Sequence, residues 1–236
     1  MLTQASRTVV IHQPDFLPYL GFFDRLLKSD LYVILDHVQY VSGTSKSWMN
    51  RDIIKTPQGE KWITIGVEKP PLHTPINQVR LRQDDVWRRQ NMNLIRENYR
   101  KTDYFDEIVP YIEELYQFRC DRMMDFNLKS IDMIMQLLDI QIERIFSSNM
   151  EIHGSSNEML VEILKAVGAT AYLSGIGAKA YYRPEPFDQA NIPVLWQDFK
   201  HPLYHQQHGD FIPYLSSIDL LLNCGIEKSR EIIRRC

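Results

Sequence analysis

VVIHQPDFLPYLGFFDRLLKSDLYVILD, Val9 to Asp36, reads as strand, loop, helix and strand. Val9, Val10 and Ile11 form an apolar run that stops at His12, Gln13 and Pro14, as a buried parallel strand does on meeting its loop. Pro18 is placed in the first turn of the helix, where its missing N–H costs nothing. Leu20, Phe23, Leu26 and Leu27 then recur at helical spacing, Lys28 and Ser29 close the helix, and Leu31 to Leu35 resumes as strand. Two parallel strands joined by a right-handed crossover follow. Ligands of open parallel sheets sit outside the carboxyl ends of the strands, where His12, Gln13, Asp36, His37 and Gln39 fall.

The 236 residues, 44% hydrophobic and 24% charged, suffice for one sizeable α/β core, and a single domain over 1–236 is expected. A net charge of −3 and a pI near 6.2 give no footprint for nucleic acid and none for an anionic membrane. The three cysteines, Cys120, Cys224 and Cys236, show no metal-like spacing and follow no signal peptide, which points to the reducing cytoplasm. No apolar stretch approaches the roughly 20 residues of a membrane helix, so membrane insertion is not expected.

Beyond Asp36 the pattern predicts a hairpin turning at Thr56, Pro57, Gln58 and Gly59, with Lys61 to Val67 as a strand. Asp84 or Asp85 caps the next helix, which carries Trp87, Leu94, Ile95 and Tyr99. A second stripe runs from Phe105 to Tyr116, with Pro110 expected to set its first turn apart. A third helix covers about 121 to 138, so 84–139 forms a helical layer inserted in the α/β order. Alternation then returns: strand from Ile142 to Ser147, helix from Ser155 to Val167, strands from Ala171 to Ser174 and from Pro193 to Phe199. Ser155 and Glu158 have capping-box spacing, and Gly168 stands where a left-handed C-cap is wanted. The fold class is therefore α/β, with an open, mostly parallel Rossmann-like sheet, a nucleotidyltransferase-like βαβ start and a helical middle insertion.

Four clusters carry chemical potential. His12, Gln13, Tyr19 and Gly21 occupy a strand–loop–helix plan that exposes helix N–H groups to an anion, although Tyr19-Leu20-Gly21-Phe22 stands where adenylyl-transferring enzymes carry His-x-Gly-His. Lys46, Trp48, Asn50 and Arg51, with Gln39 upstream, combine cations, an aromatic wall and an amide, as an anionic-ligand clamp does. In YLSGIGAKAYY, Ser174 and Gly175 end a strand, and Gly177 and Lys179 open the next helix, a plan that holds phosphate without P-loop spacing. His201, His205 and His208 stand at i, i+4 and i+7 behind Asp198, but Pro202 and Gly209 interrupt any helix that would align them. A general base, a ligand-binding histidine or a satisfied structural histidine is therefore favoured over a metal site, and no metal is assigned. Asp219 and Asn223, four apart on an apolar helix, face one another or a shared partner.

The chain resembles the WbqC-like family of bacterial proteins over nearly its whole length. The resemblance rests on IHQPDFLPYLGFF, VQYVSGTSKSWMNRDIIKTPQG, YLSGIGAKAYY and QDFKHPLYHQQHGDFIPYLSSIDLLLNCG. His12, Gln13, Pro14, Tyr19, Gly21, Gln39, Asn50, Arg51, Ser174, Gly175, His201, Pro202, His208, Asp219 and Asn223 stand at its motif positions, and His205 departs from it. The resemblance implies a role among genes for O-antigen and other surface polysaccharides, and transferase activity on unusual sugars or their acyl or aminoacyl substituents.

The leading expectation is a cytoplasmic transferase that moves a small acyl or aminoacyl group from a small-molecule or carrier-bound donor to an amino sugar or related acceptor. Arg51 and Lys179 would hold phosphate, the Ser174-Gly175 turn would add N–H donors, and His12, His201 or His208 would act on the proton. Cysteine nucleophiles are not expected, since Cys120 and Cys224 are read in apolar helical contexts. A nucleotidyl or adenylyl transferase with a degenerate signature is the second reading, and an accessory module for a carrier protein or glycosyltransferase the third. No cofactor is assigned.

Overall fold

The computed structural model describes residues 6–41 and 47–236. Their elements run β1 (Thr8–His12), α1 (Leu20–Leu27), β2 (Leu31–Ile34), β3 (Arg51–Thr56), β4 (Gly59–Thr64), α2 (Val86–Tyr99), α3 (Phe105–Gln117), α4 (Met123–Leu138), β5 (Glu143–Phe146), α5 (Ser156–Ala166), β6 (Ala171–Ser174), α6 (Pro184–Ala190), β7 (Val194–Trp196) and α7 (Ser217–Ile233). The chain divides into two compact units. The first gathers the described residues up to Gln13 with Asp24–His37 and Gln141–Phe199; the second gathers those of Pro14–Phe23, Val38–Ile140 and Lys200–Cys236.

The first unit holds a sheet of order β5-β2-β1-β6-β7, every pair parallel. The opening strand of the sequence is thus the central strand, pairing Val9 with Leu31 and with Tyr172. Val9, Ile11, Leu31 and Val33, alternate residues of two neighbouring strands, share one face and pack with Val161, Leu164 and Phe187 of α5 and α6. Burying apolar area at about 25 cal/mol per Å² holds this layer together. The βαβ start and the open parallel sheet are as read from the sequence. Pro18 differs: it lies ahead of α1, because Tyr19 first makes an extended bridge to Ser216.

The second unit contains the β3–β4 hairpin, in register from Arg51 opposite Thr64 to Thr56 opposite Gly59. Gly59 ends its turn at φ +98°, a conformation that favours glycine. Around it, α2, α3, α4 and α7 bury Trp87, Ile95, Ile112, Phe126, Ile134 and Leu221. Met123, Met124, Met133 and Met135 are buried, so the methionine content of α4 is ordinary packing. Pro110 sits inside a continuous α3 and does not split it, since only the Asp106 carbonyl loses its helical partner. α7 breaks at Gly225 (φ 73°, ψ 174°), where a Cβ would run into the Tyr104 ring.

Of the two caps read from the sequence, one is present and one is not. Val86 N–H is accepted by the Asp84 carboxylate, whereas Asp85, the residue at the cap, makes no side-chain capping bond. Ser155 makes none either, and Glu158 pairs instead with Arg183, so the capping box is absent. Gly168 does adopt the left-handed conformation, at φ +65°. No helix among the described residues is long and apolar enough to cross a membrane.

Candidate functional site

The parallel sheet of the first unit brings five strand ends to one edge, and each delivers polar groups. At the end of β1 the His12 Nδ1 lies 2.8 Å from the Gln13 carbonyl. Burial, and secondarily the Arg25 charge, draw its imidazole down to about 3. Arg25, on α1, donates to Gln197 Oε1 at 2.6 Å, and Gln197 Nε2 donates to Asp24 Oδ2 at 2.6 Å. Lys28 completes the group with a 2.7 Å ion pair to Asp24. All three of Asp24, Arg25 and Gln197 are buried, which the mutual pairing of charge and amide permits.

Ser174 and Gly175 end β6, and the backbone N–H of Gln197 donates to the Ser174 carbonyl at 2.9 Å. A side chain on Gly175 would press on the Arg25 guanidinium, the Cβ lying 3.1 Å from Nη1, so glycine there lets the cation approach. The segment that follows is a short 3-10 turn, Ile176–Tyr181, and not the α-helix read from the sequence. Lys179, exposed, places its ammonium 5.3 Å from the centre of the Trp196 ring. At the ends of β2 and β5, Asp36 accepts from Ser147 Oγ, Ser148 N and Ser148 Oγ, and His37 Nδ1 lies 2.6 Å from Ser147 Oγ.

The second unit carries its own two clusters. Arg51 Cζ lies over the Trp62 ring, 4.2 Å from its centre, Trp62 leans on Trp48 with ring centres 5.3 Å apart, and Arg51 Nε donates to the Ser47 carbonyl. Both tryptophans are more than a third exposed, a wall of aromatic surface with a guanidinium set against it. Asn50 gives its backbone carbonyl to Ile65 N, which fixes the start of the hairpin. Gln39 Oε1 meets His73 Nδ1 at 3.1 Å. Lys46 lies outside the described residues.

The other cluster is the 200–216 loop. His201, its imidazole pKa lowered by burial, lies 3.0 Å from the Pro202 carbonyl through Nδ1 and among the rings of Phe211 and Tyr214. Tyr214 also meets Tyr19 edge-on, and the Tyr19 ring covers Gly21, where a Cβ would clash. Beneath the loop, Asp219 accepts from Tyr99, Tyr204 and Gln206, each at 2.8 Å. Burial holds its carboxyl above the usual range despite those bonds and the Lys55 charge. Asn223 Nδ2 donates to the Asp219 backbone carbonyl and its Oδ1 accepts from Gln207 N, so the two side chains hold adjoining residues of one loop and do not meet each other. His208, at φ 65°, lies 3.1 Å from the Asn98 carbonyl and lines a cavity of about 320 Å³ with Thr56, Pro57, Asp210 and Ile212.

His12, Gln13, Ser174, Gly175 and Lys179 thus belong to the first unit, and Tyr19, Gln39, Trp48, Asn50, Arg51, His201 and His208 to the second. Sequence reasoning missed Arg25, Trp62 and Lys55. Arg25 left a signal, a lone arginine within an apolar helical stripe, whereas Trp62 read only as a strand residue. Cys120 lies between α3 and α4, outside the helical context expected for it, and burial raises both Cys120 and Cys224 to about 11, unsuited to a thiolate nucleophile. Among the described residues, no group of three or more His, Cys, Asp or Glu could hold a metal ion.

A family model described as the WbqC-like protein family matches residues 13–231. The chain is 30% identical over 233 residues to the uncharacterized protein Rv1507c of Mycobacterium tuberculosis, covering 98% of this chain and 99% of that one. No solved structure matches it.

Proposed function

The chain belongs to the WbqC-like protein family, and from that premise we propose that it is a cytoplasmic transferase of O-antigen or related surface-glycan biosynthesis. It moves a small acyl or aminoacyl group to an amino sugar or related acceptor. The observation that carries this reading is the Trp48–Trp62 wall with Arg51 laid across it. Exposed indole faces stack on sugar rings and bases, and a guanidinium fork matches phosphate or carboxylate, so the pair suits an anionic, ring-bearing ligand such as a nucleotide-linked sugar. The donor is a small-molecule or carrier-bound acyl group, which makes a carrier protein a natural partner.

A thermal-shift screen tests the reading, because a ligand that binds only the folded state raises the melting temperature by mass action. The panel holds nucleoside triphosphates with and without Mg²⁺, nucleotide sugars, acyl-coenzyme A compounds and phosphopantetheine, against wild type and Arg51→Ala. A nucleotide sugar or pantetheine donor is expected to raise the midpoint, and Arg51→Ala to abolish the nucleotide-sugar shift. A shift with ATP and Mg²⁺ alone would replace the proposal with nucleotidyl transfer. Silence across the panel would favour an accessory role.

A further inference from the structure

The hydrogen-bond inventory around Ser147, in the first unit, assigns a tautomer. A serine hydroxyl has one proton to give and two lone pairs to receive. Three groups surround Ser147 Oγ: the Asp36 backbone N at 3.2 Å, Asp36 Oδ1 at 3.0 Å and His37 Nδ1 at 2.6 Å. The backbone N–H can only donate, so it takes one lone pair. Asp36 Oδ1 also receives Ser148 N at 2.9 Å, and Oδ2 receives Ser148 Oγ at 2.6 Å; with donors gathered on both oxygens the carboxylate acts as acceptor and takes the serine proton. One lone pair of Ser147 remains, and it faces Nδ1. The imidazole nitrogen there must carry the hydrogen, which leaves the lone pair of neutral His37 on Nε2.

From this geometry we infer that His37 is the general base of the first unit, with Ser147 and Asp36 as positioning residues that fix its ring and tautomer. The relay is buried, Asp36 and Ser147 each being 1% exposed, whereas His37 is half-buried. It stands just past the carboxyl ends of β2 and β5, paired through Ile34 and Phe146, the edge at which parallel sheets hold ligands. His12 ends the neighbouring strand, but an imidazole drawn down to about 3 is a weak proton acceptor at neutral pH. The order Asp36–Ser147–His37 differs from that of a nucleophilic triad. Ser147 spends its proton on the carboxylate, so it is not the attacking group.

For its reaction this inference rests on the transferase reading, with an acyl or aminoacyl thioester as donor. The acceptor amine or hydroxyl forms its bond to the acyl carbon and loses a proton to His37 Nε2. The carbon–sulfur bond breaks, the thiolate leaves with the electron pair, and the imidazolium returns the proton to it.

The test is ¹⁵N-histidine NMR on the full chain, with His37→Gln to assign the resonance. At pH 8, His37 is expected to show a protonated Nδ1 and an unprotonated Nε2. Ser147→Ala should move it toward the Nε2–H form with the other six histidine signals unmoved, and Ser148→Ala should leave it in place. An Nε2–H tautomer in the wild type, or an unchanged tautomer in Ser147→Ala, overturns the relay. With acetyl-coenzyme A as thioester probe and glucosamine as acceptor, His37→Gln should keep the wild-type thermal shift with acetyl-coenzyme A but lose about 10²- to 10⁴-fold in turnover; wild-type turnover in that variant overturns the base. Absence of transfer in the wild type counts against the transferase reading, while the NMR result still decides the relay.

Discussion

The two units bury a carboxylate by different means. Asp24, in the first, meets the Lys28 ammonium and the Gln197 amide, which is itself held by Arg25. Asp219, in the second, is met by two tyrosine hydroxyls and an amide, with the Lys55 charge as a smaller influence. Hydrogen bonds from neutral groups satisfy its lone pairs but do not match its charge, so desolvation prevails and the carboxyl is pushed upward. The same buried residue type is held by cations in one unit and by shared protons in the other. Both arrangements order their surroundings, the sheet edge in one case and the 200–216 loop in the other.

The largest effect expected from this contrast is that of Asp219→Ala. It leaves the Tyr99 and Tyr204 hydroxyl protons without their acceptor and removes one of the acceptors of the Gln206 amide, and should cost about 3–4 kcal/mol in urea unfolding. Asp24→Ala should cost less, about 2 kcal/mol, because Lys28 is half-exposed and can turn to water while Arg25 keeps Gln197. Equal or inverted losses would break the comparison.

Acid sharpens it further. The His12 imidazole, lowered to about 3 from 6.5, contributes stability that is full above 6.5 and is lost as pH falls toward 3. Asp219, raised above 3.8, contributes stability that is full below 3.8 and is lost as pH rises through its folded value. Between pH 6.5 and 4, His12→Gln should therefore flatten the loss of stability on acidification, and Asp219→Asn should steepen it. Urea midpoints at pH 7, 5.5 and 4 read both slopes, and parallel slopes in the two variants would refute the assignment. Lys28→Met, which leaves the buried Asp24 carboxylate facing the Gln197 amide without its ammonium, should cost about as much as Asp24→Ala.

What the sequence disclosed depended on range. Val9 to Asp36 showed its parallel unit through local periodicity, and Thr56 to Gly59 and Gly168 showed their turns through residues that supply the needed φ. Pro110 misled because the helix tolerates one lost bond early in its course. Ser155 and Glu158 misled because Arg183, 25 residues away, offers Glu158 a charged partner. The sheet-edge cluster was only half legible: its histidine and serine were named, but Arg25 finds Gln197 across 172 residues, and no local pattern announces such a pairing. Trp62 was equally silent until the hairpin brought Arg51 against it.

The placement of β1 at the centre of the sheet also sets a schedule for the nascent chain. After His37 about a hundred residues must be made before Gln141 opens the segment that supplies β5, β6 and β7. At roughly 5–20 residues per second, the β1–β2 pair waits on the order of 5–20 s with both flanks bare. Two parallel strands alone are marginal, so this is the interval in which a chaperone has the most to shield.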